Sequence, residues 1–135
     1  GLFGINNHEG SRFTQDAAAL AAVARVLAAE HLFFFDSRTT PDTKVVTVAR
    51  RFGVMSAGRD VFLDDTQKEA AVRRQLNTLV ARARANGVAI AIGHPHDVTL
   101  TVLAAWLRQD HGVTLVPLDE AMRRKTARKG AFAAR

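Results

Sequence analysis

The chain has 135 residues, of which 47% are apolar and 24% charged, enough for about one soluble domain with a buried core. It has no cysteine, which excludes disulfides and thiolate chemistry, and no apolar stretch approaches the roughly 20 residues of a membrane span. No signal sequence or initiator Met precedes the first predicted strand, so we expect a fragment, a processed product or a trimmed chain.

The net charge of +6 is concentrated at the C-terminus. From Arg123 to Arg135 there are six basic residues and no acidic one, while the other 13 lysines and arginines balance the 13 acidic residues. We therefore distinguish a body, residues 1–120, from a basic tail, residues 121–135. The tail is interpreted as a solvated, frayed terminus, or alternatively as a segment attracted to nucleic acid or to an anionic envelope surface. It has no nucleic-acid-binding motif, so nucleic acid is not an expected partner.

The first half of the body alternates short apolar runs with helical patterns. Its predicted elements are a strand at residues 3–5, a helix at 15–31, a strand at 32–35 and a helix at 41–52. Thr14 is the predicted N-cap of the first helix, and Pro41 is the predicted first residue of the second. Gly53 is expected to end that second helix.

The second half continues the alternation. Its predicted elements are apolar runs at 54–55 and 61–63, a helix from 65 or 66 to 86, a strand at 88–92, a helix at 97–110 and a strand at 113–116. Glu69 is the predicted capping-box partner of Asp65 or Thr66, and Gly87 closes that helix. The last helix is expected to bury four residues: Leu100, Leu103, Trp106 and Leu107. This β-α order predicts an α/β fold with a parallel sheet, either open or curled into a barrel.

Clusters of polar residues follow the predicted strands at their C-terminal ends, where α/β proteins gather ligands and catalytic groups. The candidates are Asn6, Asn7 and His8 after the first strand, Asp36 and Arg38 after the second, Arg59, Asp60 and Asp64 around the middle runs, and His94 and His96 after the strand at 88–92. Their shared position predicts the rim of an active site.

The sharpest local signal is His94-Pro95-His96, because proline restricts the loop between two imidazoles. Imidazole is a metal ligand and, near neutral pH, a general acid or base. We expect at least one of this pair to be functional. The alternative is a loop histidine whose ring is hydrogen-bonded to backbone.

The carboxylates leave two interpretations open. Asp36 could orient a histidine, bind a metal or accept a proton, or it could pair with Arg38 or cap the next helix. Asp60 and Asp64 with Arg59 could bind a charged substrate or set a catalytic pKa, or they could form a structural salt-bridge cluster. Asp64 could also simply cap the third helix.

Several catalytic motifs are absent: a glycine-rich phosphate loop, a His-Glu-x-x-His helix and a Gly-x-Ser-x-Gly turn. The remaining histidine and aspartate chemistry suits metal-assisted hydrolysis.

Four segments then resemble the divergent polysaccharide deacetylase family. Residues 4–13, Gly-Ile-Asn-Asn-His-Glu-Gly-Ser-Arg-Phe, are similar to its Gly-Val-Asn-Asn-His-Met-Gly-Ser signature. Residues 35–39 match its Phe-Asp-Ser-Arg-Thr segment, residues 59–64 its Arg-Asp-Val-Phe-Leu-Asp block, and residues 91–95 its Ala-Ile-Gly-His-Pro element. The resemblance covers about residues 3 to 118.

The resemblance implies part of a distorted (β/α) barrel of the glycoside hydrolase/deacetylase type. It also implies metal-dependent removal of acetyl groups from an N-acetylated polysaccharide in the periplasm or cell envelope, with a divalent metal, zinc preferred, as cofactor. On this basis we assign His94, Asp36 and Asp60 to catalysis, with His94 as the acid. Metal binding is assigned to His8. Substrate binding is assigned to five residues: Asn6, Asn7, Arg38, Arg59 and His96. The alternative is a non-catalytic envelope protein that binds carbohydrate or a partner through the same rim.

The chain departs from the family pattern in two respects. Glu9 stands where Met is usual and Asp97 where Pro is common. Members of the family begin with a strand that ends in paired aspartates and carry a histidine-containing segment at a later strand. Neither segment has a counterpart here, so the chain resembles the C-terminal half of the domain. A half-barrel would expose strand edges, and we therefore expect possible self-association of the fragment.

Overall fold

The computed structural model describes residues 2–133, with side chains over residues 2–127. The chain divides into two compact units. The first comprises the residues up to Gly58 and those from Leu118 on, and the second comprises Arg59–Pro117.

The first unit is built on a three-stranded parallel sheet. Its elements up to Gly58 are β1 Gly4–Asn6, α1 Ser11–Gln15, α2 Ala17–Ala29, β2 Phe33–Asp36, α3 Val45–Arg51 and β3 Ser56–Gly58. The strand order is β1-β2-β3, with Gly4 beside Phe33 and Phe34 beside Ser56. The helices cover the sheet through one apolar core, formed by Leu20, Ala24, Leu27, Phe34, Val45, Val48, Ala49 and Val54.

The second unit is built on a two-stranded parallel sheet. Its elements are β4 Val61–Phe62, α4 Glu69–Asn86, β5 Ala91–Ile92 and α5 Asp97–Trp106. Val61 lies beside Ala91 and Phe62 beside Ile92. A second core, of Val61, Leu63, Val72, Leu76, Val102 and Trp106, joins the sheet to α4 and α5. The parallel register places the residues that follow β4 and β5 at one edge of this sheet.

The predicted alternation of parallel strands and helices is confirmed, and so are two of the predicted helix ends. Gly53 and Gly87 directly follow the last turns of α3 and α4, both with a φ of 71°. That left-handed conformation strains residues with a Cβ, which is why glycine stands there.

The start of the first long helix was predicted wrongly. Asp16, not Thr14, is the N-cap: its carboxylate accepts hydrogen bonds from the N–H groups of Ala18 (2.9 Å) and Ala19 (3.0 Å). Thr14 instead lies in the separate helix α1, fully buried, with its hydroxyl bonded to the carbonyl of Ser11. Two consecutive helices therefore replace the single predicted one.

Two other helices begin later than predicted. Helix α3 starts at Val45 rather than at Pro41, because the Thr43 hydroxyl accepts from the Val45 N–H and donates to Asp36. Helix α4 starts at Glu69 rather than at residue 65 or 66. The strand predicted at 88–92 is confined to Ala91–Ile92.

The buried face of α5 also differs from the prediction. Thr99, Val102 and Trp106 are buried, whereas Leu100 and Leu107 are half exposed. The hydroxyl of Thr99 donates a hydrogen bond to a buried carboxylate of the second unit. The face of α5 that packs against the second unit therefore combines this polar contact with the apolar residues Val102 and Trp106.

The C-terminal segment differs from the prediction of a strand followed by a frayed tail. Within the described residues, 113–117 form no strand, and α6 runs over Leu118–Ala133 and returns to the first unit. Ala121 and Met122 are buried, and the Lys125 ammonium donates to the carbonyl of Gly58 (2.6 Å). The basic residues Arg128, Lys129 and Arg135 lie outside the described side chains.

Acidic residues in the first turn of α6 partly compensate the basic charge of this segment. Arg123 is 2.7 Å from Asp119 and 3.3 Å from Glu120, and Arg124 is 2.7 Å from Glu120. The hydrogen bonds from Arg124 and Arg123 lower the pKa of Glu120. Among the described residues, no helix has both the length and the apolar character needed to cross a membrane.

Candidate functional site

The most developed polar site of the second unit lies where β4 and β5 end. Asp64 follows β4 after one residue, and Gly93 and His94 follow β5 directly. The N–H of Leu63 donates to the carbonyl of Ile92 (2.9 Å), so the two chain segments stay paired up to this edge. His94 and Asp64 therefore leave neighbouring parallel strands at the same end.

Asp64 and His94 form a closely hydrogen-bonded pair. The Asp64 Oδ1 atom is 3.1 Å from His94 Nδ1, and Oδ2 accepts from the His94 backbone N–H (2.5 Å) and from the Thr99 hydroxyl (2.9 Å). The Asp64 side chain is fully buried, whereas that of His94 is 32% exposed. The Nδ1 edge of the imidazole is thus held by a buried carboxylate, while part of the ring is exposed to solvent.

These contacts keep Asp64 ionised. Burial raises the pKa of a carboxyl group, but the hydrogen bonds from the backbone and ring of His94 and from Thr99 outweigh it, and the pKa of Asp64 is lowered overall. An ionised carboxylate only accepts hydrogen bonds, so His94 Nδ1 must carry the proton of their contact. The Nε2 atom of His94 is then the ring nitrogen that does not face Asp64.

Small and aromatic residues shape the surroundings of His94. A Cβ on Gly93 would lie 3.3 Å from the side chains of both Leu63 and Thr99, so glycine allows the strand end to pack closely there. The ring of Phe62 is 5.3 Å from that of His94, and the Arg59 guanidinium lies 4.8 Å from the centre of the Phe62 ring. Arg59, one of the predicted substrate-binding residues, therefore contacts the same Phe62 ring that packs against His94.

His96 is the third polar residue of this edge. Its ring centre is 5.8 Å from that of His94, and its Nε2 atom is 3.2 Å from the side-chain nitrogen of Gln67. Asp64, His94 and His96 each offer one ligand atom, and these three atoms all lie within 4.8 Å of one another. One carboxylate and two imidazoles are donor types that zinc accepts.

Asp60 lies at the opposite end of β4 from Asp64. Its carboxylate accepts from the Ile90 N–H (2.8 Å), and its backbone carbonyl accepts from the Arg82 guanidinium (2.6 Å). The residue thereby ties the N-terminal ends of β4 and β5 together. Its catalytic role stays a prediction, and the described contacts give it a structural role.

In the first unit, the loops after β1 and β2 are joined by Asn7 and Ser37. The Asn7 Oδ1 atom accepts from the Ser37 N–H (2.9 Å), and the Ser37 hydroxyl donates to the Asn7 carbonyl (2.5 Å). Asn6 contacts the same hydroxyl at 3.3 Å. Asn7 is buried while Asn6 is exposed, so of the two predicted binding residues Asn6 faces solvent.

Asp36 is almost fully buried below these loops. Its Oδ1 atom accepts from the backbone N–H of Arg38 and its Oδ2 atom from the Thr43 hydroxyl, both at 2.9 Å. These bonds hold the carboxylate within the segment between β2 and α3, and neither of them caps a helix. The predicted catalytic role of Asp36 is not tested by them.

His8 and Arg38, predicted for metal and substrate binding, are both exposed in loops at the C-terminal ends of β1 and β2. Arg38 has a φ of 52°, and its side chain lies against Gly58, where an added Cβ would come within 2.7 Å of Arg38 Cδ. Gly58 therefore allows Arg38 to lie across the end of β3.

Two residues of the Asp64–His94 site were not assigned to it from the sequence. With Arg59 and Asp60, Asp64 was predicted either to bind a charged substrate or set a catalytic pKa, or to form a salt-bridge cluster or cap a helix, and Thr99 was given no role. The available signal was position: Asp64 ends an apolar run just as His94 does, so parallel pairing of the two runs would bring them together.

Comparison with known proteins places the chain among uncharacterised relatives. A family model described as "Divergent polysaccharide deacetylase" matches residues 1–122. The chain is 45% identical over 100 residues to "Uncharacterized protein YibQ" of Escherichia coli K12, covering 74% of the chain and 31% of that protein. It is 44% identical over 105 residues to an uncharacterised protein of Haemophilus influenzae, covering 78% of the chain and 38% of that protein.

A solved structure shares the fold. The crystal structure of uncharacterized protein ATU2773 from Agrobacterium tumefaciens C58 matches with a TM-score of 0.76 and 30% identity, over 78% of the chain and 43% of that protein. This match confirms the predicted fold class, an α/β fold of parallel β/α units that form part of a distorted (β/α) barrel. The chain spans about a third of the length of the curated relatives that it matches.

Proposed function

The chain belongs to the divergent polysaccharide deacetylase family, and from that premise we propose that the whole protein hydrolyses N-acetyl amide bonds of an envelope polysaccharide. In this proposal the Asp64–His94 pair carries the proton-transfer step. The supporting observation is the buried carboxylate 3.1 Å from His94 Nδ1. It is the arrangement that orients an imidazole and stabilises its protonated form.

Amide hydrolysis needs a proton donor because an amine anion is too basic to leave unprotonated. Once a water oxygen has added to the acetyl carbon, protonated His94 would donate from Nε2 to the sugar nitrogen as its bond to that carbon breaks, which releases acetate and the free amine while Nδ1–H stays bonded to Asp64. Thr99 and the backbone N–H of His94 hold the carboxylate in place, so Asp64 acts as a positioning residue. The partial exposure of His94 allows a polymer to reach the ring.

Substrate contacts are proposed for polar residues of the strand-end loops that are exposed or partly exposed. The Asn6 amide can both donate to and accept from sugar hydroxyl groups. Arg38 and Arg59 can donate to hydroxyl or carboxylate oxygens, and His96 lies next to His94. Asn7 was predicted for the same role, but its side-chain oxygen already accepts from Ser37.

The family resemblance also implies a divalent metal, zinc preferred, with His8 as the predicted ligand. When bound, such an ion would polarise the acetyl carbonyl. The Asp64–His94–His96 group does not fit this resident ion, since both Asp64 oxygens already accept hydrogen bonds and His94 Nε2 is needed as the proton donor. We therefore derive no step through a metal at this group.

The test is acetate release from N-acetylglucosamine oligomers by the full-length protein. We expect release that a chelator stops, and a loss of at least about 10²-fold in His94→Asn. His31→Asn is the matched control, because His31 belongs to the first unit and its φ of 55° is one that asparagine tolerates. Sugar binding without turnover, unaffected by chelator, would instead indicate a non-catalytic carbohydrate-binding protein.

A further inference from the structure

We propose that the first unit has a binding site for a small carboxylate with a short apolar body, in the cavity between α3, β3 and α6. The cavity has a volume of about 210 Å³. The described residues that line it come from α3, from β3 and the turn before it, and from α6, and all of them belong to the first unit. None of them was assigned above to catalysis, to substrate or to a metal, so this site does not depend on the proposed function.

The buried hydroxyl of Ser56 is the first observation that points to a ligand. Ser56 is 9% exposed and lies in register beside Phe34, whose side chain packs into the core beneath the helices. Residues in register on neighbouring strands point to the same face of a sheet, so the Ser56 side chain is on the helix-covered face, where it lines the cavity. It forms no hydrogen bond with any residue that the structure describes. Because an unpaired buried hydroxyl costs free energy, an oxygen atom bound in the cavity would be stabilised by accepting its hydrogen bond.

The charge around the cavity selects an anion. Arg50 is exposed at the end of α3, and it forms no ion pair or hydrogen bond with the described part of the chain. The ammonium of Lys125, on α6, is held at the cavity wall by its bond to the Gly58 carbonyl (2.6 Å). No acidic residue is among the described residues that line the cavity. Two cations on a wall without a carboxylate attract negative charge, and the planar guanidinium can donate to both oxygens of a bound carboxylate.

The rest of the wall favours an anion that is charged at one end only. The side chains of Val46 and Val54 offer no hydrogen-bond donor or acceptor. The Thr126 hydroxyl already donates to the carbonyl of Met122 (2.8 Å). Inorganic phosphate, which has oxygen atoms on every side, would leave several of them unpaired against this wall, whereas the carbon chain of a carboxylate can pack on it.

The volume limits the length of that apolar body. A water molecule occupies about 30 Å³ in the liquid, so the cavity equals roughly seven water molecules. An acid of about six carbons, such as hexanoate, is of this size, whereas a long-chain fatty acid is not. Because such a ligand would contact α3, β3 and α6 together, its binding should also stabilise the packing of α6 on the first unit.

The binding experiment titrates hexanoate into the full chain and follows the backbone amide signals of Ala57 and Thr126 by NMR. We expect saturable shifts with one hexanoate bound per chain, and a higher urea unfolding midpoint at saturating hexanoate. Hexanol should bind at least about 3-fold more weakly because it has no charge. Hexylammonium should not displace hexanoate, because its charge is repelled by Arg50 and Lys125.

Two variants test the residues on which the site depends. Arg50→Gln should weaken hexanoate binding at least about 3-fold. Arg51→Gln is the matched control, because Arg51 is exposed on the same turn of α3 and does not line the cavity. Ser56→Ala should also weaken binding, by about 3-fold, without lowering the urea midpoint of the ligand-free chain, because it removes a hydroxyl that has no described partner. That unchanged midpoint distinguishes a lost ligand contact from a folding defect.

No saturable shift, or equal hexanoate affinities of the Arg50→Gln and Arg51→Gln chains, would overturn the site. Hexanol that binds as tightly as hexanoate would overturn recognition of the carboxylate. Inorganic phosphate that displaces hexanoate at equal concentration would overturn the choice of an anion with an apolar body. Acetate release from N-acetylglucosamine oligomers is measured separately, so failure of this site and failure of the proposed function are distinguishable.

Discussion

Replacing Asp64 by asparagine tests the hydrogen bonding on which the site depends. Asparagine has nearly the same shape, and its amide oxygen can still accept from the Thr99 hydroxyl and the His94 backbone N–H. Its amide nitrogen, however, would face His94 Nδ1 at the contact that now measures 3.1 Å. The N–H groups of the asparagine amide and of His94 Nδ1 would then face each other, unless the imidazole carries its proton on Nε2 instead.

The expected loss of stability follows from the number of affected hydrogen bonds. Asp64 accepts three, and a hydrogen bond to an ionised group contributes about 1.5–3 kcal/mol, against about 0.5–1.5 for a neutral one. Changing all three from charged to neutral therefore lowers the free energy of unfolding by about 3 kcal/mol at pH 7. With a urea m-value of about 2 kcal/mol/M, the unfolding midpoint should fall by roughly 1.5 M.

The assay is urea denaturation followed by the fluorescence of Trp106, the single tryptophan, which is buried in the same unit as Asp64. Asp65→Asn is the matched control, since Asp65 is the exposed neighbouring carboxylate and its replacement should leave the midpoint unchanged. If Asp64→Asn and Asp65→Asn unfold at the same urea concentration, the hydrogen-bonded pair is refuted.

Three further predictions concern pH and the first unit. The pKa of Asp64 is lower in the folded chain than in the unfolded chain. Its contribution to the free energy of unfolding is therefore complete above the unfolded pKa of about 3.9 and is lost as pH falls through the folded pKa. The stability gap between the wild type and Asp64→Asn should therefore narrow below about pH 4 in acid titrations of unfolding. Met122→Ala should destabilise the chain by about 2–5 kcal/mol in urea denaturation followed by circular dichroism, because the side chain is fully buried. The exposed Arg124→Ala should leave that transition unchanged, and an unaffected Met122→Ala would mean that α6 does not contribute to the core. Asn7→Ala should lower the free energy of unfolding by about 1–3 kcal/mol in the same urea denaturation, because it removes the side-chain acceptor of the buried Ser37 N–H, and Asn6→Ala should lower it less.

The fold was predictable where a local pattern has a single structural solution. Gly53 and Gly87 end their helices because only glycine takes a φ of 71° without strain. The apolar run at β2 correctly indicated a buried parallel strand, whereas the run at 88–92 gives the shorter, only partly buried strand β5. Contacts between segments distant in sequence were not predictable, and α6 is the clearest case. Its basic composition suggested a solvated tail, yet Met122 is buried and Lys125 bonds to Gly58.

The candidate site was predictable only in part. His94 was identified because it follows an apolar run in a distinctive loop. The role of Asp64 was left open between a functional carboxylate, a salt bridge and a helix cap, because its hydrogen-bonding partners, His94 and Thr99, lie 30 and 35 residues away in the sequence. Asp36 and Asp60 illustrate the converse. A carboxylate next to a strand is equally consistent with catalysis and with bonding to backbone N–H groups, and the described contacts are of the second kind.

The most direct test of the central claim is the rate of acetate release from N-acetylglucosamine oligomers by full-length Asp64→Asn compared with Asp65→Asn. A buried carboxylate that positions the acid His94 predicts a loss of about 10²-fold in kcat for Asp64→Asn, with KM nearly unchanged. Asp65→Asn should retain wild-type turnover. Equal turnover by the two variants would contradict the assignment of Asp64 and His94 to proton transfer.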